Sequence, residues 1–156
     1  MTQFDIDYAK GKKSEEESLN DLNKIFKTNL IHDDDNFSHF DFYSEDRKTF
    51  VELKTRDNTE YDEEKEIFIH TKQDGKKCYF DSLYFDAVKK WEAYRNRDTD
   101  KRYFIVWKIS GEYFYWEINH GKREYYIEDQ FRDRGKGYRQ ETPVVNVKQY
   151  ALTRVI

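Results

Sequence analysis

Residues 39–56 read His-Phe-Asp-Phe-Tyr-Ser-Glu-Asp-Arg-Lys-Thr-Phe-Val-Glu-Leu-Lys-Thr-Arg, and the fold turns on how they pair. Two runs of aromatic and β-branched residues, Phe40 to Tyr43 and Thr49 to Thr55, flank the polar cluster Ser44 to Lys48. The pattern predicts a β-hairpin closed by a loop rather than a two-residue turn. Because strand side chains alternate, Glu52 and Lys54 leave one face of the second strand while Val51, Leu53 and Thr55 leave the other. Pairing Tyr43 with Phe50 puts Asp41 opposite Glu52, so two carboxylates and an ammonium meet on one face. Carboxylates that close resist joint ionisation unless a cation lies between them, and a divalent metal is the simplest such cation.

Upstream, Phe4, Ile6 and Tyr8 alternate in a way that permits a short strand within the first 13 residues. Ser14 and Glu17 then have the spacing of a capping box, and Leu19, Leu22, Ile25, Phe26 and Leu30 recur at helical intervals. A helix from about Glu15 to Thr28 follows. Glu15 falls near the middle of its apolar stripe and Glu16 at the margin, so either could lean toward the hairpin; a frayed, exposed first turn accounts for both equally well. Asn29 to Ser38, with Asp33, Asp34 and Asp35, is expected to be a solvated loop.

Downstream, Arg56 to Glu66 lacks periodicity and is expected to be a loop. Glu66 to Lys72 and Lys77 to Phe80 read as strands joined by a turn at Asp74-Gly75. Asp81 is expected to cap a helix reaching about Asn96, with Leu83, Ala87, Val88, Trp91 and Tyr94 along one side and Lys89, Lys90 and Arg95 on the others. Arg102 to Ile109 is a nearly continuous apolar run, expected to be a central strand covered on both faces. Ser110-Gly111 turns it into the aromatic strand Tyr113 to Ile118. Beyond that, Arg123 to Ile127 and Val144 to Val147 read as short strands. Between them Phe131 to Gln140 interleaves Arg132, Arg134, Lys136 and Arg139 with glycines and aromatics, a composition suited either to a phosphate backbone and an exposed base or to a surface loop.

The 156 residues suit one domain, 1–156, long enough to bury its own core. Charged residues make up 38% of the chain and aromatics 18%, so the core must be built from a few large side chains. No apolar run approaches a membrane span and the first 13 residues lack a signal-peptide stretch, which predicts an intracellular protein. The single cysteine, Cys78, excludes an intramolecular disulfide, and the four histidines lack zinc-ligand spacing. Residues 1–66 hold 10 Lys/Arg against 19 Asp/Glu, and residues 67–156 hold 18 against 13. An acidic half able to gather cations thus precedes a basic half able to meet phosphates.

The strand-borne Asp41, the Glu52-Leu53-Lys54 triplet separated from it by ten residues and the preceding acidic helix together resemble the PD-(D/E)XK nuclease superfamily. The string Phe50-Val51-Glu52-Leu53-Lys54-Thr55-Arg56 is especially similar to Holliday-junction-resolvase-like members. The similarity covers roughly residues 11–118, leaving 119–156 as a basic extension. Phe40 stands where many members have proline. Asp46-Arg47-Lys48, Glu63-Glu64-Lys65 and Asp74-Gly75-Lys76 also satisfy the three-letter pattern, but only Glu52-Leu53-Lys54 lies in an apolar strand.

The resemblance implies an α/β (α+β) restriction-endonuclease-like core, a central mixed β-sheet flanked by helices. It implies that Asp41 and Glu52, with the Leu53 carbonyl and Glu15, hold Mg²⁺ or Mn²⁺, and that Lys54 serves the attacking water in phosphodiester hydrolysis. The expected partner is nucleic acid, most readily DNA, bound in part by Arg132, Arg134, Lys136 and Arg139. A homodimer would suit a junction-cutting enzyme, with Tyr113 to Ile118 as one possible interface. The alternatives are a catalytically silent module that binds nucleic acid or protein on the same fold, and a nuclease specific for RNA or junctions.

Overall fold

The computed structural model describes residues 2–35, 38–86, 88–119, 124–133 and 139–156. It is a mixed α+β structure with two helices and mostly strands. The largest sheet has six strands in the order β1 (Leu30–His32), β2 (Phe42–Ser44), β3 (Thr49–Arg56), β8 (Arg102–Ile109), β9 (Glu112–Glu117) and β12 (Thr153–Arg154). Between β3 and β8 the chain forms β4 (Thr59–Asp62), β5 (Ile67–Thr71), β6 (Lys77–Phe80), β7 (Ser82–Asp86) and α2 (Val88–Arg95). After β9 come β10 (Tyr125–Asp133) and β11 (Arg139–Lys148).

Among the described residues only β3 and β8 run parallel, with Glu52 beside Ile105 and Lys54 beside Trp107; the other neighbouring pairs are antiparallel. A parallel pair needs a long crossover, and residues 57–101 supply it. The hairpin has the expected register, Tyr43 beside Phe50 and Phe42 beside Val51. β8 is central and buried from Tyr103 to Trp107, as its apolar run requires. Ser110 and Gly111, both at positive φ (46° and 84°), make the tight turn into β9.

Period-two alternation sends β3 side chains to two cores. Val51 and Leu53 join Leu22, Leu30, Phe42, Phe104, Val106 and Tyr113 beneath α1 (Gln3–Phe26). Phe50 joins Ile105, Trp107 and Ile109 on the opposite face, against Leu83 and Phe85 of β7, Trp91 of α2, and Val145 and Val147 of β11. The chain after residue 118 therefore supplies part of the central core. Glu52 and Lys54 project from this second face.

Several elements differ from the sequence expectation. α1 begins at Gln3 rather than near Glu15, because Thr2 caps it: the Thr2 hydroxyl accepts the Asp5 N–H at 3.2 Å and the Asp5 carboxylate accepts the Thr2 N–H at 3.0 Å. Phe4, Ile6 and Tyr8 are exposed on this helix, and the Ser14–Glu17 spacing lies inside it. α1 ends where Lys27 turns left-handed, at φ 51°. The acidic stretch after it is not merely solvated, since Leu30–His32 pairs with β2 and Asp33 accepts hydrogen bonds from the Ser38 N–H and hydroxyl.

Thr59–Asp62 is a strand rather than a loop, recruited by pairing with β5. Ser82–Asp86 is a strand rather than the first turn of a helix. Leu83 and Phe85 are buried while Tyr84 is exposed, a period of two that β11 stabilises by pairing from Val144 to Lys148. Phe131, Arg132 and Asp133 end β10, and Arg139 and Gln140 begin β11, so these positions belong to a long hairpin. Arg134 and Lys136 lie outside the described residues. β9, suggested as a dimer interface, is flanked by β8 and β12, and its Tyr113, Phe114 and Trp116 are buried. Among the described residues, no helix is long and apolar enough to cross a membrane.

Candidate active site

Asp41 immediately precedes β2, and the register of β2 on β3 carries it to the Glu52–Leu53 backbone. Its Oδ2 accepts the Leu53 N–H at 2.7 Å. Leu53 anchors that contact by burying its own side chain under α1. Glu52 is 6% exposed, and two ammonium groups approach its Oε2: Lys54 from the same strand at 3.3 Å and Lys90 from α2 at 2.7 Å. Trp91, next to Lys90, is buried in the core and fixes that part of α2 against the sheet.

The two acids respond differently to these surroundings. Burial, followed by the negative charges of Glu52 and Glu15, pushes the Asp41 carboxyl up to about 10. Burial also opposes ionisation of Glu52, but Lys54 and Lys90 outweigh it and hold Glu52 below its usual value. The two side chains share a hydrogen bond, and their surroundings oppose joint ionisation, favouring the proton on Asp41 and the charge on Glu52.

Glu15, on the part-buried side of α1, receives a 2.5 Å hydrogen bond from His32 Nε2, and His32 Nδ1 lies 2.6 Å from Asp34. Burial alone would lower the His32 pKa, but these two carboxylates raise it. Glu16 is exposed, and Glu17 faces Lys13 at 3.9 Å. The Ser14 and Thr55 hydroxyls share a hydrogen bond that ties α1 to β3 near these acids. A cleft of about 680 Å³ is bordered by Glu15, Asp41, Glu52 and Lys54, and its rim is mixed in charge, with Lys10, Lys13, Arg56 and Lys108 among Asp7, Glu17 and Asp57. A second hollow, of about 590 Å³, shares Glu15, Asp41 and Glu52 with this cleft and is bordered also by His32 and Lys90.

The structure therefore brings Glu15, Asp41, Glu52, Leu53 and Lys54 together. Arg132 and Arg139 lie on β10 and β11, at the end of that hairpin remote from its pairing with β7. Sequence reasoning placed Trp91 and Tyr94 on the packed side of the helix, where the structure has them, and missed that the Lys90 side of it reaches Glu52, a contact between distant segments. It also missed the strand β1, which brings His32 to Glu15.

Among the described residues, no group of three or more His, Cys, Asp and Glu side chains is arranged to hold a metal ion. The charge on Glu52 is met by lysine instead. The donor chemistry nevertheless fits a hard divalent cation: every candidate side-chain donor is a carboxylate oxygen, and burial together with the charges of Glu52 and Glu15 raises the Asp41 pKa. A cation placed there would relieve that repulsion. No family model matches the chain, and no curated protein or solved structure is significantly similar to it.

Proposed function

We propose that the chain is a divalent-metal-dependent phosphodiesterase of the PD-(D/E)XK kind, acting on DNA from a restriction-endonuclease-like core. The observation that carries this reading is the convergence of Asp41, Glu52 and Lys54 at the Leu53 backbone, with Glu15 on the same cleft. The parallel β3–β8 pair, the hairpin beside it and α1 packed beneath β3 suit such a core.

In this reading Asp41, Glu52, the Leu53 carbonyl and Glu15 hold Mg²⁺ or Mn²⁺. The bound ion supplies a Lewis acid that draws charge off the scissile phosphate and makes water a better nucleophile. Lys54 orients the attacking water and stabilises charge on the phosphoryl oxygens as they become crowded. Lys10, Arg56 and Lys108 would meet individual phosphates at a rim that also carries Asp7, Glu17 and Asp57. Arg132 and Arg139, with Arg134 and Lys136 between them in sequence, are further candidates for phosphate contact. An enzyme that cuts paired strands would act as a homodimer.

The test is cleavage of supercoiled, linear, single-stranded and four-way DNA, and of RNA, with Mg²⁺, with Mn²⁺ and with chelator. Metal-dependent cutting supports the proposal, and the substrate profile assigns the nucleic acid. The lysine-neutralised Glu52 favours one second reading, a silent binding module on the same framework. Such a module would bind DNA equally well in chelator and cut nothing.

A further inference from the structure

The Lys90 ammonium stands out because the hydrolytic scheme leaves it without a role. Its side chain is 13% exposed, sits 2.7 Å from Glu52 Oε2, and comes from a different element than Lys54. An ordinary surface ion pair would be solvated and contribute little. This one is buried at the acid that the metal reading needs most, and it is shorter than the Lys54 contact to the same oxygen. Two ammonium groups on one carboxylate oxygen carry more positive charge than that carboxylate can neutralise.

We infer that Lys90 is a built-in counter-ion, a positioning residue that holds the Glu52 carboxylate in place in the metal-free protein and competes with the divalent ion for it. The inference rests on the metal reading of the site. Three features of the fold give Lys90 this role. Trp91 is packed in the core, so the base of the Lys90 side chain cannot drift. The four-carbon stem still lets the ammonium withdraw. The hollow that Lys90 borders, shared with Glu15, Asp41 and His32, gives the displaced ammonium somewhere to go. A divalent ion on Glu52 would repel an ammonium at contact distance, so the two cannot both keep that oxygen without cost. Lys54 remains in place because its own strand presents it to the cleft.

The test compares Mn²⁺ binding, read as loss of the free-ion paramagnetic resonance signal, in the unaltered protein and in Lys90→Met, Lys90→Gln and Lys90→Arg. The neutral variants should bind Mn²⁺ roughly tenfold more tightly, while Lys90→Arg stays near the unaltered affinity. Their thermal midpoints in chelator should fall, and saturating Mn²⁺ should restore most of the loss. Equal or weaker Mn²⁺ binding by both neutral variants overturns the inference.

If neither neutral variant folds, the unaltered protein still decides the matter. Acetylation of Lys90 by a limiting reagent, followed by mass spectrometry, should rise when Mn²⁺ is added; unchanged or lower labelling overturns the inference. Absence of Mn²⁺ binding to the unaltered protein would instead remove the metal reading itself, and the inference with it.

Discussion

The Asp41 carboxylate accepts the Leu53 N–H at 2.7 Å, tying the segment before β2 to the strand that carries Glu52 and Lys54. This bond does structural work that survives loss of the acid's charge. Asp41→Asn keeps an oxygen for the Leu53 N–H and a donor for Glu52, so its metal-free stability should match the unaltered protein below about pH 3.8, where Asp41 is protonated in both the folded and unfolded chain. Asp41→Ala orphans the amide and should cost about 1–3 kcal/mol. Chemical denaturation in chelator measures both, and nuclease activity should be lost in each.

The two acids set opposite pH dependences. For Asp41 the folded pKa, about 10, lies above its ordinary 3.8, so its stabilising contribution is complete below pH 3.8 and is lost as pH rises toward 10. For Glu52 the folded pKa is depressed, so its contribution is present above 4.5 and is lost as pH falls. Between pH 6 and 9 the metal-free protein should lose stability relative to Asp41→Asn, with a slope of up to about 1.4 kcal/mol per pH unit. Parallel pH–stability curves for the two proteins would show that Asp41 is not held protonated.

Glu52 is too well paired to be a clean probe of chemistry. Glu52→Gln leaves Lys54 and Lys90 facing each other in a nearly dry site, and should cost about 3–5 kcal/mol. Glu52→Gln combined with Lys90→Met should recover part of that loss, a coupling that a double-mutant cycle reads directly.

His32 reports on Glu15. Its imidazole should titrate above 6.5 because the Glu15 and Asp34 carboxylates overcome its burial, and Glu15→Gln should move it down. Proton NMR of the imidazole resonances across pH 5 to 9 checks this. An unmoved titration would separate Glu15 from His32 in solution.

Much of this site was legible in the sequence because strand alternation and hairpin register are local rules. Asp41, Glu52 and Lys54 follow from pairing Tyr43 with Phe50, and the parity of β3 alone assigns Val51 and Leu53 to the α1 side. Glu15 followed from its place on the apolar stripe of α1. Non-local contacts were less visible. Ser82–Asp86 carries a helix-compatible pattern, and only pairing with β11, some sixty residues away, makes it a strand. α2 turns Trp91 and Tyr94 to the core as its periodicity requires, but that its Lys90 lies against Glu52 depends on how distant segments dock, and Lys90 was therefore not foreseen there. Thr2 and Asp5 were a capping signal that the alternation of Phe4, Ile6 and Tyr8 obscured.

The most direct test of the central claim is cleavage by Lys54→Ala. Lys54 is 22% exposed and makes the longer of the two lysine contacts to Glu52, so its removal leaves Lys90 to hold that acid and the fold intact. With plasmid DNA and Mg²⁺ or Mn²⁺, the unaltered protein should cut and Lys54→Ala should be slower by about 10²- to 10⁴-fold, with an unchanged circular dichroism spectrum and melting profile. Cleavage by highly purified Lys54→Ala at the unaltered rate, or cleavage by the unaltered protein that persists in chelator, would contradict the account.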